Sequence, residues 1–294
     1  MKNHIIINIT LLVLLVALGL IVWLDPFSAP EPQKTPLTNV DITHVHKISV
    51  FNANQLQFVV ELLPGTPKST WYLTNPLKIP ANPAKIQQLL TLLNTNSFRQ
   101  YRIKSDNLAK LGLGKPSWKV AFDTVQNQTV VLFGKTEPIE QKRYVLVDDT
   151  VHLIIDQYSQ YNVGSPLMLA NLDILPVDKS VKELRLPDQI IKKVDGEWQS
   201  TRAEGAISQQ TYNKFIDEWR YAQALRVALV DKPTQSSNAQ VVTVILEKAE
   251  QPVHFVIEAN DQNYVVTNKD WGVRYYFNSS VGEKLLHIKS PTQE

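Results

Sequence analysis

Residues 5–24 read IIINITLLVLLVALGLIVWL, twenty positions without a charged side chain. At about 1.5 Å of rise per residue, such a run makes a helix about 30 Å long, the thickness of a bilayer's hydrocarbon core. A buried helix of a soluble core is seldom so long and so uniform. Asn8 and Thr10 are the polar interruptions, and Trp23 lies at the far end, where indole favours a membrane interface. Lys2 precedes the run and Asp25 follows it. The positive-inside rule then places the N-terminus in the cytoplasm and the rest of the chain outside. A cleaved signal peptide would carry a shorter core of about 7–15 residues and a small-x-small cleavage site. Here Ser28 and Ala29 run straight into Pro30, so an uncleaved transmembrane signal-anchor over 1–24 is the expectation.

Residues 25–40 hold Pro26, Pro30, Pro32 and Pro36 among polar neighbours. They read as an extended linker, reaching up to about 50 Å at the polyproline rise of about 3.1 Å per residue. The remaining sequence is long enough for one large or two modest domains. A formal charge of +2 over 294 residues supplies no global field toward nucleic acid. With no cysteine, disulfides, thiolate metal sites, cysteine nucleophiles and a lipoprotein anchor are excluded.

Beyond the linker the same order of signals occurs twice. Trp71 precedes a helix capped by Asn82, with Pro83 in the first helical position and an apolar stripe of Ile86, Leu89, Leu90 and Leu93. Trp198 precedes a helix capped by Ser208, with a stripe of Tyr212, Phe215, Ile216 and Trp219. Hairpin signals follow each, the last pair beginning at Tyr144 and at Tyr264. The expected fold class is therefore α+β: an N-terminal transmembrane helix, then two repeated units, 41–172 and 173–294. Each unit is expected to be an antiparallel sheet of hairpins covered by one helix.

In the first unit, Trp71, the striped helix, Leu111-Gly112-Leu113 with Pro116, Phe133-Gly134-Lys135-Thr136, and Tyr144-Val145 follow one another. That order resembles a bacterial family described as a domain of unknown function, the 4340 family, over roughly 71–169. The second unit lacks the Leu-Gly-Leu and Phe-Gly-Lys elements. The resemblance implies a membrane-anchored protein encoded beside ABC-type transport systems related to those of gliding motility. It implies an accessory role in an envelope transport complex, and it carries no catalytic residue. Read locally, Gly112 suits a left-handed position that ends a helical turn, Pro116 stops its continuation, and Gly134 suits a turn.

Catalytic constellations are not found. Gly112-Leu113-Gly114-Lys115 lacks the glycine spacing with which a P-loop wraps phosphate. His44 and His46 form a pair of candidate metal ligands, but a zinc site needs a third, and His152, His254 and His287 are scattered. Asp148-Asp149 are adjacent turn residues, whereas glycoside hydrolysis needs two carboxylates facing each other across a cleft. Arg99, Arg102, Lys104, Lys110, Lys115 and Lys119 make a basic cluster with interleaved aromatics, a candidate patch for an anionic partner. Asn8 is the candidate helix–helix contact. The reading is a non-enzymatic, single-pass accessory protein of the inner membrane with an extracytoplasmic body, without cofactor. Its partners would be the bilayer and ABC transporter subunits. The alternatives are a membrane-tethered hydrolase and a binding module for anionic lipid or glycan.

Overall fold

The computed structural model describes residues 2–24, 35–65, 69–102, 105–176, 178–202, 207–231, 238–259 and 263–288. Side chains at 2–8, 21–24, 105–106 and 163 lie outside that description, Asn8 among them. So do the linker residues 25–34. The apolar run forms helix α1 (Lys2–Leu24). Its large apolar side chains described between Ile9 and Leu20 are all exposed, from 49% at Leu20 to 69% at Leu15.

Among the described residues, no helix is long and apolar enough to cross a membrane. The expectation of a transmembrane helix is corrected accordingly: the structure shows an apolar helix with exposed side chains.

Within the stretch expected as linker, β1 (Thr35–Pro36) comes first, and it is followed by β2 (Val45–Asn52), β3 (Gln55–Leu63), β4 (Thr70–Asn75) and β5 (Ile79–Pro80). The β2–β3 turn puts Ala53 and Asn54 at φ 45° and 68°, the left-handed pair a two-residue hairpin requires. Helix α2 (Pro83–Thr91) starts where its cap predicts, with Asn82 Oδ1 accepting from the N–H groups of Ala84 and Lys85. Then come β6 (Asn96–Ser97), which pairs with β1, and β7 (Arg99–Arg102). The short helix α3 (Ser105–Leu108) leads to β8 (Trp118–Thr124), β9 (Gln128–Thr136), β10 (Arg143–Val147) and β11 (Thr150–Ile154). Nine of these strands form one antiparallel sheet, in the order β5-β4-β3-β2-β8-β9-β10-β11-β7.

After α4 (Gln160–Val163) the second sheet begins with β12 (Val181–Arg185), β13 (Ile190–Val194) and β14 (Glu197–Ser200). Helix α5 (Gln209–Arg220) has Ser208 as its cap, bonded to the Thr211 N–H. It is followed by β15 (Arg226–Leu229), β16 (Gln240–Leu246), β17 (Val253–Ala259), β18 (Asn263–Asn268), β19 (Val273–Asn278) and α6 (Ser279–Lys284). The eight strands are ordered β14-β13-β12-β16-β17-β18-β19-β15. Apart from β5, that is the order of the first sheet, strand for strand. In both, the first strand after the striped helix to join the large sheet, β7 or β15, lies at the far edge.

The fold class is corrected by this architecture. Among the described residues, strand makes up 44% and helix 22%, which is mostly β, with three antiparallel sheets rather than hairpins each covered by a helix. The reason lies in strand edges. A hairpin leaves two rows of unpaired backbone groups, and these pair with the next hairpin. Here β2 bonds β3 on one side and β8 on the other, which fuses the early meander and the later hairpins into one sheet. The stripes of α2 and α5 enter a single cluster of buried residues that also takes Phe122 and Phe133 from the first sheet and Phe255 and Phe277 from the second. The Ala224 N–H donates to the Leu172 carbonyl at 2.9 Å across the junction between them.

Candidate functional site

The motifs separated in sequence meet in space. Lys135 N–H donates to the Leu111 carbonyl at 2.8 Å. A Cβ on Gly134 would lie 2.4 Å from that carbonyl oxygen and 3.0 Å from Leu113 Cγ; one on Gly112 would lie 2.8 Å from Lys135 Cγ. Each glycine is therefore needed by the other motif. Gly112 has φ +74°, the left-handed turn its position suggests. Gly134 does not turn the chain, as its sequence context suggests; it lies inside β9. Its neighbour Phe133 points into the main core and stacks on Trp118 with ring centroids 3.6 Å apart. Successive strand residues face opposite ways, so segment 105–117 crosses over the outer face of the sheet, away from that core. The amides of Gly112, Leu113 and Gly114 donate to the carbonyls of Ala109 and Leu108, which leaves none aimed at a phosphate.

The Gly134 carbonyl continues the network. It accepts from Arg143 Nη1 at 2.8 Å, while Arg143 Nε bonds Asp156 Oδ2 at 2.8 Å and Nη2 bonds Ser159 Oγ at 2.9 Å. Asp156 Oδ1 takes the N–H groups of Tyr158 and Ser159 at 3.0 Å each, and the Ser159 hydroxyl donates to Oδ2. Burial by itself would raise the Asp156 pKa. The bonds from Ser159, Tyr158 and Arg143, with the Arg143 charge, outweigh it and hold the carboxyl below its usual range. Every member of this network is occupied by another, which makes it a clamp between β9, β10 and the segment after β11.

The basic residues are distributed by the sheet. Arg99 pairs with Leu153, and Lys119 with Leu132; both are on the outer face, where exposed Lys110 and Lys115 also lie on the crossover. Three strands separate β7 from β8, about 19 Å at a strand spacing of about 4.8 Å. Arg102 pairs with Thr150 and faces the opposite way. Lys104 lies outside the described residues. Arg99 bonds Tyr101 and faces Glu140 and Glu137, which raise its pKa. Lys119 Nζ sits 4.8 Å from the Phe51 ring centroid.

This motif-bearing stretch is where the chain can be related to other proteins. The family described as Domain of unknown function (DUF4340) matches residues 71–250, more than half of the sequence. The chain belongs to the DUF4340 family. The match runs past the first sheet to the end of β16 and beyond, further than the motifs alone carry the resemblance. No curated protein and no solved structure matches.

In this DUF4340 chain the remaining candidates stay apart. His44 ends a short 3-10 turn rather than lying on β2, with Nδ1 3.9 Å from Asp41, and His46 is exposed on β2. His254 lies 3.3 Å from Asp270. Among the described residues, no three metal-ligating groups converge. Asp148 and Asp149 are exposed in the β10–β11 turn, Asp148 at φ 49°. His152 is the exception to the scattered, exposed pattern: it is 5% exposed on β11, and burial lowers its pKa. Its Nδ1 lies 3.1 Å from Ser97 Oγ, which donates to the Arg99 carbonyl at 2.9 Å. The serine oxygen is thus left to accept, so the proton is on Nδ1. Neither this histidine nor the Arg143 clamp is visible from sequence spacing. The one available signal is that His152 interrupts an otherwise continuous apolar run from Val151 to Ile155.

Proposed function

We propose that this protein is an extracytoplasmic accessory protein of the cell envelope, attached to the membrane through α1 and associated with an ABC-type transport complex. The observation that carries the reading is the unbroken exposure of apolar side chains on α1 from Ile9 to Leu20. Exposed apolar surface of that extent needs lipid or protein against it. Family membership supports the transport association through the gene neighbourhood the resemblance implies. The two large sheets offer broad faces to a partner, and the glycine motifs hold structure together rather than surround a substrate. Crosslinking in intact cells, followed by purification in detergent, tests the association. Recovery of transporter subunits is expected, and repeated recovery of none overturns it. Deleting residues 1–24 should move the protein from the membrane fraction to the soluble one.

The outer face of the first sheet supports a second reading, a binding module for an anionic partner, because Arg99, Lys110, Lys115 and Lys119 share it. Salt-sensitive binding of anionic vesicles that is lost on charge reversal at Lys110 and Lys115 is the expected result.

A further inference from the structure

The core face of the first sheet turns polar at one end. Phe133, Val131, Val145, Val147 and Ile154 enter the core, but further along β9 and β11 the inward positions are Thr129, Thr150 and His152, with Gln100 beside His152 on β7. Segment 35–40 passes over this end. It is fastened by the β1–β6 pairing, by the Leu37 and Thr38 N–H groups donating to the Thr95 and Leu93 carbonyls at 2.8 and 2.9 Å, and by Gln100 Nε2 donating to Thr35 Oγ1. Between segment and sheet lies a groove of about 660 Å³, with Asn39 and Asp148 at its mouth. That is the size of a small-molecule site, typically about 300–1,000 Å³, though such sites are usually lined mostly by apolar groups.

The chemistry of the lining selects a ligand class. The hydroxyls and amides of Thr129, Thr150, Asn39 and Gln100 each offer both donor and acceptor. His152 adds a neutral acceptor: its proton is on Nδ1, bonded to Ser97, and Nε2 has no hydrogen-bond partner among the described residues. The Asp148 carboxylate also lines the groove, so an anionic ligand would be repelled there. Hydroxyls on a ligand would meet these polar groups, while its carbon faces would lie against Pro36, Leu37, Val40 and Val147. We propose that the groove binds a neutral, hydroxyl-rich oligosaccharide, with segment 35–40 as one wall. This binding is independent of the transport association.

The test uses the full chain in detergent and triacetylchitotriose as the probe, with binding followed by calorimetry and by saturation-transfer NMR. Saturable binding with a Kd below about 10 mM is expected. Thr129→Val and Asn39→Ala should each weaken it about fivefold, the value of one hydrogen bond, with unchanged thermal unfolding. His152→Phe should weaken it further; should that variant unfold, the other two decide. No saturable binding by the natural chain, or equal affinity in Thr129→Val and Asn39→Ala, overturns the proposal.

Discussion

Replacing Gly134 with alanine asks whether the shared motifs are a packing device. The new Cβ would sit 2.4 Å from the Leu111 carbonyl oxygen, about 1 Å inside ordinary van der Waals contact. The oxygen belongs to backbone, so it cannot swing away as a flexible side chain would. The crossover must lift from β9, and the bond from Lys135 N–H goes with it. Overpacking of this kind costs about 1–3 kcal/mol and the lost bond about 1 more, so about 2–4 kcal/mol is expected. Urea unfolding in detergent, followed by tryptophan fluorescence, reads it well, since Trp118 stacks on the adjoining Phe133. Hydrogen exchange should show loss of protection at the Lys135 amide. Gly196→Ala is the control, with φ +91° but open space around its Cβ; it should cost only backbone strain, about 1–2 kcal/mol. A Gly134→Ala protein within about 0.5 kcal/mol of the natural chain, with Lys135 still protected, would refute the packing account.

Asp156→Asn should cost about 1.5–3 kcal/mol at neutral pH, the value of charge-assisted bonds. Its folded pKa lies below the unfolded one, so the contribution is complete above the unfolded value and fades as pH falls through the folded value. The asparagine variant should lack that part of the acid-induced loss in urea titrations. His152 should titrate below the ordinary imidazole value by NMR, since burial disfavours its charged form. The unfolded chain takes up that proton first, so stability drops as pH falls below the unfolded value. Asn82→Ala and Ser208→Ala should each cost about 1 kcal/mol through a lost cap, measured by chemical denaturation. The two costs should add, because the caps belong to separate helices.

What local sequence could reveal, it revealed through local chemistry. Asn82 and Ser208 cap their helices because a short acceptor before an apolar stripe has few other uses. Asp195 and Gly196 take positive φ values of 50° and 91°, as their turn demands. The sheets were not legible in the same way. Nothing in β2 says that its second neighbour is β8, because the pairing is written in edges left over after each hairpin closes. The distribution of the basic cluster over the sheet was hidden for a related reason. Arg99 and Arg102 are three residues apart, and a strand sends such neighbours to opposite faces. Gly134 reads as punctuation in the sequence, yet its glycine serves a contact with Leu111, more than twenty positions earlier in the chain.

The far-edge strands have a consequence for how the chain comes into being. β7 leaves the ribosome long before its partner: Gln100 pairs with His152, and Val227 with Tyr275, each about fifty residues later, a long-range pairing that slows folding. Until then the strand is an unpaired edge, open to proteases and to other chains. Each half of the protein therefore passes through an interval in which most of its sheet can exist but cannot close. A truncation just short of β11 or β19 would hold it in that interval permanently. Arginines on both waiting strands, at Arg99, Arg102 and Arg226, are placed where charge deters a wrong pairing while the right one is still being made.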